Sequence, residues 1–134
     1  MRYLLDTHII MWALVDHPKL PKRFRDLILD PENQIYYSCV SPWEAEIKYL
    51  KKPESFFVSG KQLASLCDQV GFLKIPIENR HIDEIRNIVA IDVSIRHEDP
   101  FDKMLLAQAR SENMILLTHD KRFRNYNDSH LMVD

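Results

Sequence analysis

Residues 99–120 read DPFDKMLLAQARSENMILLTHD, and this stretch decides the fold class. Asp99 precedes Pro100, a residue suited to the first position of a helix, and Met104, Leu105, Ala107 and Ala109 extend a helical pattern to Glu112. Residues 114–117 then form an unbroken apolar run with polar residues on either side, the pattern of a strand covered on both faces. A helix feeding a doubly covered strand is the unit from which parallel sheets flanked by helices are built.

The same alternation continues in both directions. Apolar, aromatic and β-branched runs predict strands at 2–5, 34–38, 72–75, 114–117 and 131–133. Helical spacing predicts helices at 7–15, with Ile10, Leu14 and Trp12 inward, and at 20–29, 41–50, 60–70, 77–91 and 100–112. The expectation is an α/β domain in three layers, with a mostly parallel central sheet flanked by helices, spanning residues 1–134 as one unit.

Composition narrows the function. With 134 residues, 46% hydrophobic and 28% charged, the chain is long enough for one core without disulfides. Its only glycines are Gly60 and Gly71, so no glycine-rich phosphate loop can be written. The longest apolar run, 9–15, is far short of a membrane span, and the amino end lacks a signal-peptide pattern. Cys39 and Cys67 have no motif spacing and read as buried thiols of a reducing compartment, so a cytoplasmic protein is expected. Eighteen basic residues against twenty acidic ones give a formal charge of −2, with no overall basic footprint for nucleic acid.

In parallel sheets ligands bind beyond the carboxyl ends of the strands. Four acids fall there: Asp6 after 2–5, Glu44 at the start of the helix after 34–38, Asp102 in the first turn of the helix before 114–117, and Asp120 after that strand. Each also has a local explanation, since Asp suits turns and strand ends. Ser41-Pro42-Trp43-Glu44 and Asp99-Pro100-Phe101-Asp102 share one grammar of cap, proline, aromatic and acid. It reads either as a capping box or as a carboxylate held ionised at a helix start, where it would suit a hard cation. Two unit charges about 5 Å apart repel by roughly 3 kcal/mol at an effective dielectric of about 20. Four gathered carboxylates therefore require a counter-ion, and an all-oxygen set matches Mg²⁺ or Mn²⁺ rather than zinc. Two such ions would carry the formal charge from −2 to +2, making a phosphate backbone an acceptable ligand.

These residues resemble those of PIN-domain proteins, specifically the VapC-type toxin nucleases. The matching stretches are Leu4-Leu5-Asp6-Thr7-His8 with Trp12, Ser41-Pro42-Trp43-Glu44 with Ile47-Lys48, residues 97–109 around Asp99-Pro100-Phe101-Asp102, and Leu117-Thr118-His119-Asp120 with Phe123. They occur in family order from residue 4 to residue 123. The resemblance implies a metal-dependent endoribonuclease using one or two Mg²⁺ or Mn²⁺ ions, with Asp6, Glu44, Asp102 and Asp120 as the catalytic, metal-holding quartet. It implies Asp99 as a cap and outer ligand, Thr7 and Thr118 as hydroxyls beside the metal acids, and a homodimer inhibited by an antitoxin protein. Two positions depart from the commoner pattern: His8 stands where Asn is more frequent, and Lys103 where Arg is.

Other residues carry two readings each. His8 and His119 neighbour acids and read as bases, as supports for the metal acids, or as packing. Lys48 pairs with Glu44 at i, i+4 or contacts RNA; Lys121 and Arg122 contact phosphate or form a solvated face, with Phe123 in the core. Trp12 and Trp43 read as core or dimer-interface residues, and Phe56 and Phe57 as part of an apolar partner groove. Rival functions are a non-catalytic α/β interaction module, an RNA-processing nuclease that is no toxin, and a phosphotransfer domain with Asp6 as nucleophile, for which His8 replaces the expected second acid.

Overall fold

The computed structural model describes residues 1–56 and 58–134. Five strands, β1 (Arg2–Leu5), β2 (Gln34–Ser38), β3 (Leu73–Ile75), β4 (Ile115–Thr118) and β5 (Leu131–Val133), form one sheet in the order β3-β2-β1-β4-β5. All the described pairings are parallel, with Tyr3 opposite both Ile35 and Ile115. The helices are α1 (Thr7–Leu14), α2 (Lys22–Leu29), α3 (Val40–Lys51), α4 (Gly60–Gln69), α5 (Asn79–Glu84) and α6 (Pro100–Glu112).

Alternation along β1 explains the three layers. Tyr3 and Leu5 point into one core with Ile9 and Ile10 of α1, Phe24 of α2 and Leu63 of α4. Leu4 points the other way, into a second core with Leu105, Leu106 and Ala109 of α6 and Leu116 of β4. The chain steps outward from β1 to β2 and β3, then returns through α5 and α6 to β4 on the other side of β1. That reversal makes the carboxyl ends of β1 and β4 the switch point at which such sheets open a crevice.

The local chemistry of α6 follows its sequence. The Asp99 side chain accepts from the Phe101 and Asp102 amides at 2.9 and 3.3 Å, Pro100 fills the first turn, and Asn113 ends the helix at φ 56°. The matching grammar at Ser41 is not realised. Helix α3 begins at Val40, Cys39 caps it without a side-chain bond, and Ser41, Pro42 and Glu44 lie inside the helix. The continuous helix expected at 77–91 also fails. Helix α5 ends at Glu84, a 3₁₀ turn covers Ile85–Asn87, and residues 88–98 are irregular. Ile88 and Ala90 still pack on the second core, whereas Val89, Ile91, Val93 and Ile95 are exposed. The β-branched run there disfavours helix, and an alternating pattern cannot bury one helical face. In α1 the fully buried pair is Ile9 and Ile10, while Trp12 is half-buried.

Gly60 opens α4 against α3, where an added Cβ would lie 2.4 Å from the Pro42 carbonyl oxygen. Gly60→Ala is expected to cost about 1–3 kcal/mol through this overpacking, read as a lower midpoint in chemical denaturation.

Candidate active site

The four acids named from the sequence meet in one cleft of about 310 Å³ at the switch point, lined by Asp6, Glu44, Asp99, Asp102 and Asp120 together with Lys48, Arg122, His8, Trp12 and His119. Asp6 caps α1 directly after β1. Its Oδ1 accepts from the Thr7 amide and its Oδ2 from the Thr118 hydroxyl, both at 2.7 Å, so β1 and β4 hold it between them. Glu44 reaches the cleft from the second turn of α3. Its Oε1 accepts from the Thr7 hydroxyl at 2.8 Å and its Oε2 from the Lys48 ammonium at 2.7 Å. The i, i+4 pair is therefore formed, and Lys48 lines the cleft as well. The capping-box reading of Glu44 is corrected, because its carboxylate is spent on Thr7 and Lys48 rather than on a cap amide.

On the opposite wall, Asp120 follows β4 and caps the Lys121–Asn125 turn through the Arg122 amide. The Arg122 guanidinium grips Asp120 at both oxygens, with Nε 3.0 Å from Oδ1 and Nη2 2.6 Å from Oδ2, and reaches Asp102 Oδ2 at 3.5 Å. Lys121 is placed elsewhere: its ammonium donates to the Asp134 carbonyl at 2.8 Å, and it does not line the cleft.

His97 opens the matched stretch 97–109, and the sequence assigns it no role. It is buried, with Nε2 2.7 Å from Asp102 Oδ2, and its ring lies against Tyr126 and Phe123. Its Nδ1 is buried with no hydrogen-bond partner among the described residues. Burial lowers the pKa of His97, and the charge of Arg122 lowers it further. The signal available was its position five residues before Asp102, but spacing across an irregular segment predicts no contact. Ser41, read from the sequence as a cap, is instead buried and 2.8 Å from the Thr7 hydroxyl, a second supporting group.

Electrostatic strain is concentrated in two acids. Burial pushes the Asp102 carboxyl up to about 8, with the charges of Asp6, Asp99, Asp120 and Glu44 adding to it. Burial raises Asp6 too, and the Glu44 charge adds to it against the Thr118 hydrogen bond. Asp120 goes the other way: burial opposes ionisation, but the bonds from Arg122 hold it below the usual range. A dense all-oxygen donor set whose own charges hinder its ionisation is the chemistry that a hard divalent cation relieves, so the residues present fit Mg²⁺ or Mn²⁺. One nitrogen lies close enough to join them, since ligating atoms of His97, Asp102 and Asp120 fall within 4.8 Å of one another.

The remaining aromatic expectations divide. Phe123 is fully buried. Trp43 is 54% exposed and edge-on to Phe101 at 4.8 Å, so it is no core residue. Phe56 is buried, its ring 5.5 Å from the Lys48 ammonium, and Phe57 lies outside the described residues. Among the described residues no helix is long and apolar enough to cross a membrane.

Comparison with known structures agrees with this architecture. The chain is similar to VapBC2 from Rickettsia felis, solved bound to a DNA fragment from its promoter, at 20% identity and a TM-score of 0.66 over 100% of this chain and 98% of that one. It is similar to VapBC-1 from nontypeable Haemophilus influenzae at 18% identity and a TM-score of 0.67, over 99% and 98% of the two chains. VapBC-5 from Mycobacterium tuberculosis, from a toxin–antitoxin family, matches at 14% identity and a TM-score of 0.60, over 98% and 96%. No curated protein matches in sequence. At these identities the structural matches establish a shared fold. The sequence pattern of the PIN domain matches residues 3–128, nearly the whole chain and all the acids of the cleft, and the protein belongs to the PIN domain family.

Proposed function

We propose that this protein is a Mg²⁺- or Mn²⁺-dependent endoribonuclease and the toxin of a toxin–antitoxin pair, acting in the cytoplasm as a homodimer that a cognate antitoxin restrains. The observation that carries the nuclease reading is the convergence of Asp6, Glu44, Asp99, Asp102 and Asp120 on one cleft at the switch point of the sheet. Similarity in fold to chains solved as VapBC complexes supports the toxin and antitoxin part.

The chain's own residues divide the work. Asp6, Glu44, Asp102 and Asp120 would hold the metal, with Asp99 behind them as the cap of α6. Bound there, one or two divalent ions would supply an activated water and stabilise the charge that develops on the phosphodiester. Thr7 and Thr118 fix the carboxylates of Glu44 and Asp6, and His97 fixes that of Asp102. Lys48 and Arg122 offer cationic groups that pair with a carboxylate or with a phosphate. Five carboxylates against two cations leave the described lining formally at −3, so one divalent ion brings it to −1 and two to +1. A second divalent ion would turn the formal charge of the lining positive, which favours a phosphate backbone. His8 lines the same cleft beside Asp6 and is proposed as a support rather than as the base.

The test is cleavage of mixed RNA by the purified chain. EDTA should abolish it, and Mg²⁺ or Mn²⁺ added in excess should restore it. Cleavage that persists in EDTA would sink the metal mechanism. An RNA-processing role instead of a toxin role would show as expression that leaves growth unaffected.

A further inference from the structure

The two cations of the cleft hold its acids unequally. The Lys48 ammonium meets one oxygen of Glu44 at 2.7 Å, while Thr7 takes the other. Asp6 accepts from the Thr7 amide and the Thr118 hydroxyl, and among the described residues no lysine or arginine pairs with it. Arg122 is engaged more fully. Its Nε lies 3.0 Å from Asp120 Oδ1 and 3.1 Å from Oδ2, and its Nη2 lies 2.6 Å from Oδ2 and 3.5 Å from Asp102 Oδ2. Both oxygens of one acid and one oxygen of the next are thus taken by a single positive group. The Arg122 side chain is nonetheless 56% exposed, so it is free to swing away. The acids would keep their places without it. Asp120 Oδ1 also accepts from the Arg122 backbone amide at 3.0 Å, the Asp120 amide donates to the Thr118 hydroxyl at 3.1 Å, and His97 holds Asp102 at 2.7 Å.

We infer that Arg122 occupies a cation position of the cleft, standing in for one divalent ion between Asp102 and Asp120, and gives it up when the phosphate of a bound RNA takes its guanidinium. The inference rests on the nuclease reading and adds how the site is loaded. A guanidinium stays charged at any working pH, so a change of pH does not clear the place. A divalent ion sharing those oxygens would lie against the guanidinium, and like charges that close repel strongly. One of the two must leave. The guanidinium leaves readily only for another anion that fits its fork, and a phosphodiester in the cleft is such an anion. The free protein therefore takes one ion, on the Asp6 and Glu44 side, and the second enters with RNA. The device keeps the two-ion state from forming where there is no phosphate to cut.

The experiment counts ions before it measures cleavage. Mn²⁺ binding at pH 8 is titrated by calorimetry without RNA, and the Arg122 Nε–H signal is followed by heteronuclear NMR under Mg²⁺. The parent should bind one ion with the Nε–H signal in place, and Arg122→Ala should bind two. Guanidinium chloride at millimolar concentration should return Arg122→Ala to one ion. Arg122→Lys, which keeps the charge but loses the fork, should need more Mn²⁺ than Arg122→Ala to take its second ion. An RNA strand with non-cleavable methylene linkages should bring the second ion into the parent and shift the Nε–H signal. At saturating Mn²⁺, Arg122→Ala should cleave RNA about 10- to 100-fold more slowly than the parent, having lost a charged hydrogen bond to the phosphate. Two ions in the parent without RNA, one ion in Arg122→Ala, or cleavage by Arg122→Ala at the parent's rate would each overturn the inference. Counts of one and two with no RNA cleaved by the parent would keep Arg122 as the resident cation and remove the nuclease reading; cleavage with equal counts would do the reverse.

Discussion

Asp102→Asn is expected to cut RNA cleavage on the order of a thousandfold or more and, at pH 8, to make the metal-free protein more stable than its parent. The first effect follows from removing one anionic oxygen from a set that must hold a cation against a phosphodiester. The second follows from the strain at this position. Buried, and facing the charges of Asp6, Asp99, Asp120 and Glu44, the Asp102 carboxyl sits at about 8 instead of 3.8. Because the folded state holds the proton more tightly than the unfolded state, stability from this group is full below about pH 4 and is lost as pH rises toward 8. That displacement bounds the gain from neutralising it at about 6 kcal/mol. Solvent at the cleft mouth screens the charges and brings the expected gain to on the order of 2 kcal/mol. Asn keeps the size of Asp and an oxygen that can accept from His97 Nε2. Urea denaturation of both proteins at pH 5 and pH 8, in EDTA, checks the sign: the advantage of Asp102→Asn should grow with pH. A variant that is inactive and also less stable at pH 8 would mean that Asp102 is held by contacts stronger than the repulsion around it.

Metal affinity should fall about a hundredfold between pH 8 and pH 6. A carboxylate that ligates a cation must first give up its proton, so below its pKa each pH unit weakens binding about tenfold for each proton displaced. Asp102, at about 8, accounts for one such proton across this window. Asp120 contributes nothing to it, since Arg122 already holds that carboxyl below the usual range. Calorimetric titration with Mn²⁺ in buffers of different ionisation enthalpy measures the affinity and the protons released together. An affinity that is flat from pH 6 to pH 8, with no proton release, would show that the acids are ionised before the metal arrives.

The order of strands and helices and the acids at strand ends could be read from the chain because each is a local property. Residues 99–120 carry cap, helix, left-handed stop, buried strand and terminal acid in sequence, and every step depends on neighbours within a few positions. Where the pattern failed, contacts outside the local window are part of the outcome. Helix α3 takes in Ser41 from its first turn, and the Ser41 hydroxyl meets that of Thr7, 34 residues away, rather than capping the helix. The segment after α5 gives up the helix because only Ile88 and Ala90 find the second core.

The sequence by itself determined that this is a parallel α/β chain with acids at the strand ends, since the alternation of period and the placement of caps are written in consecutive residues. Only the tertiary structure decided which groups share those acids. His97 lies on Asp102, Arg122 bridges Asp102 and Asp120, Lys121 turns to the carboxyl end, and Trp12 packs on the first core while lining the cleft. These outcomes depend on the distance between side chains on different elements, which is set by packing two cores against one sheet.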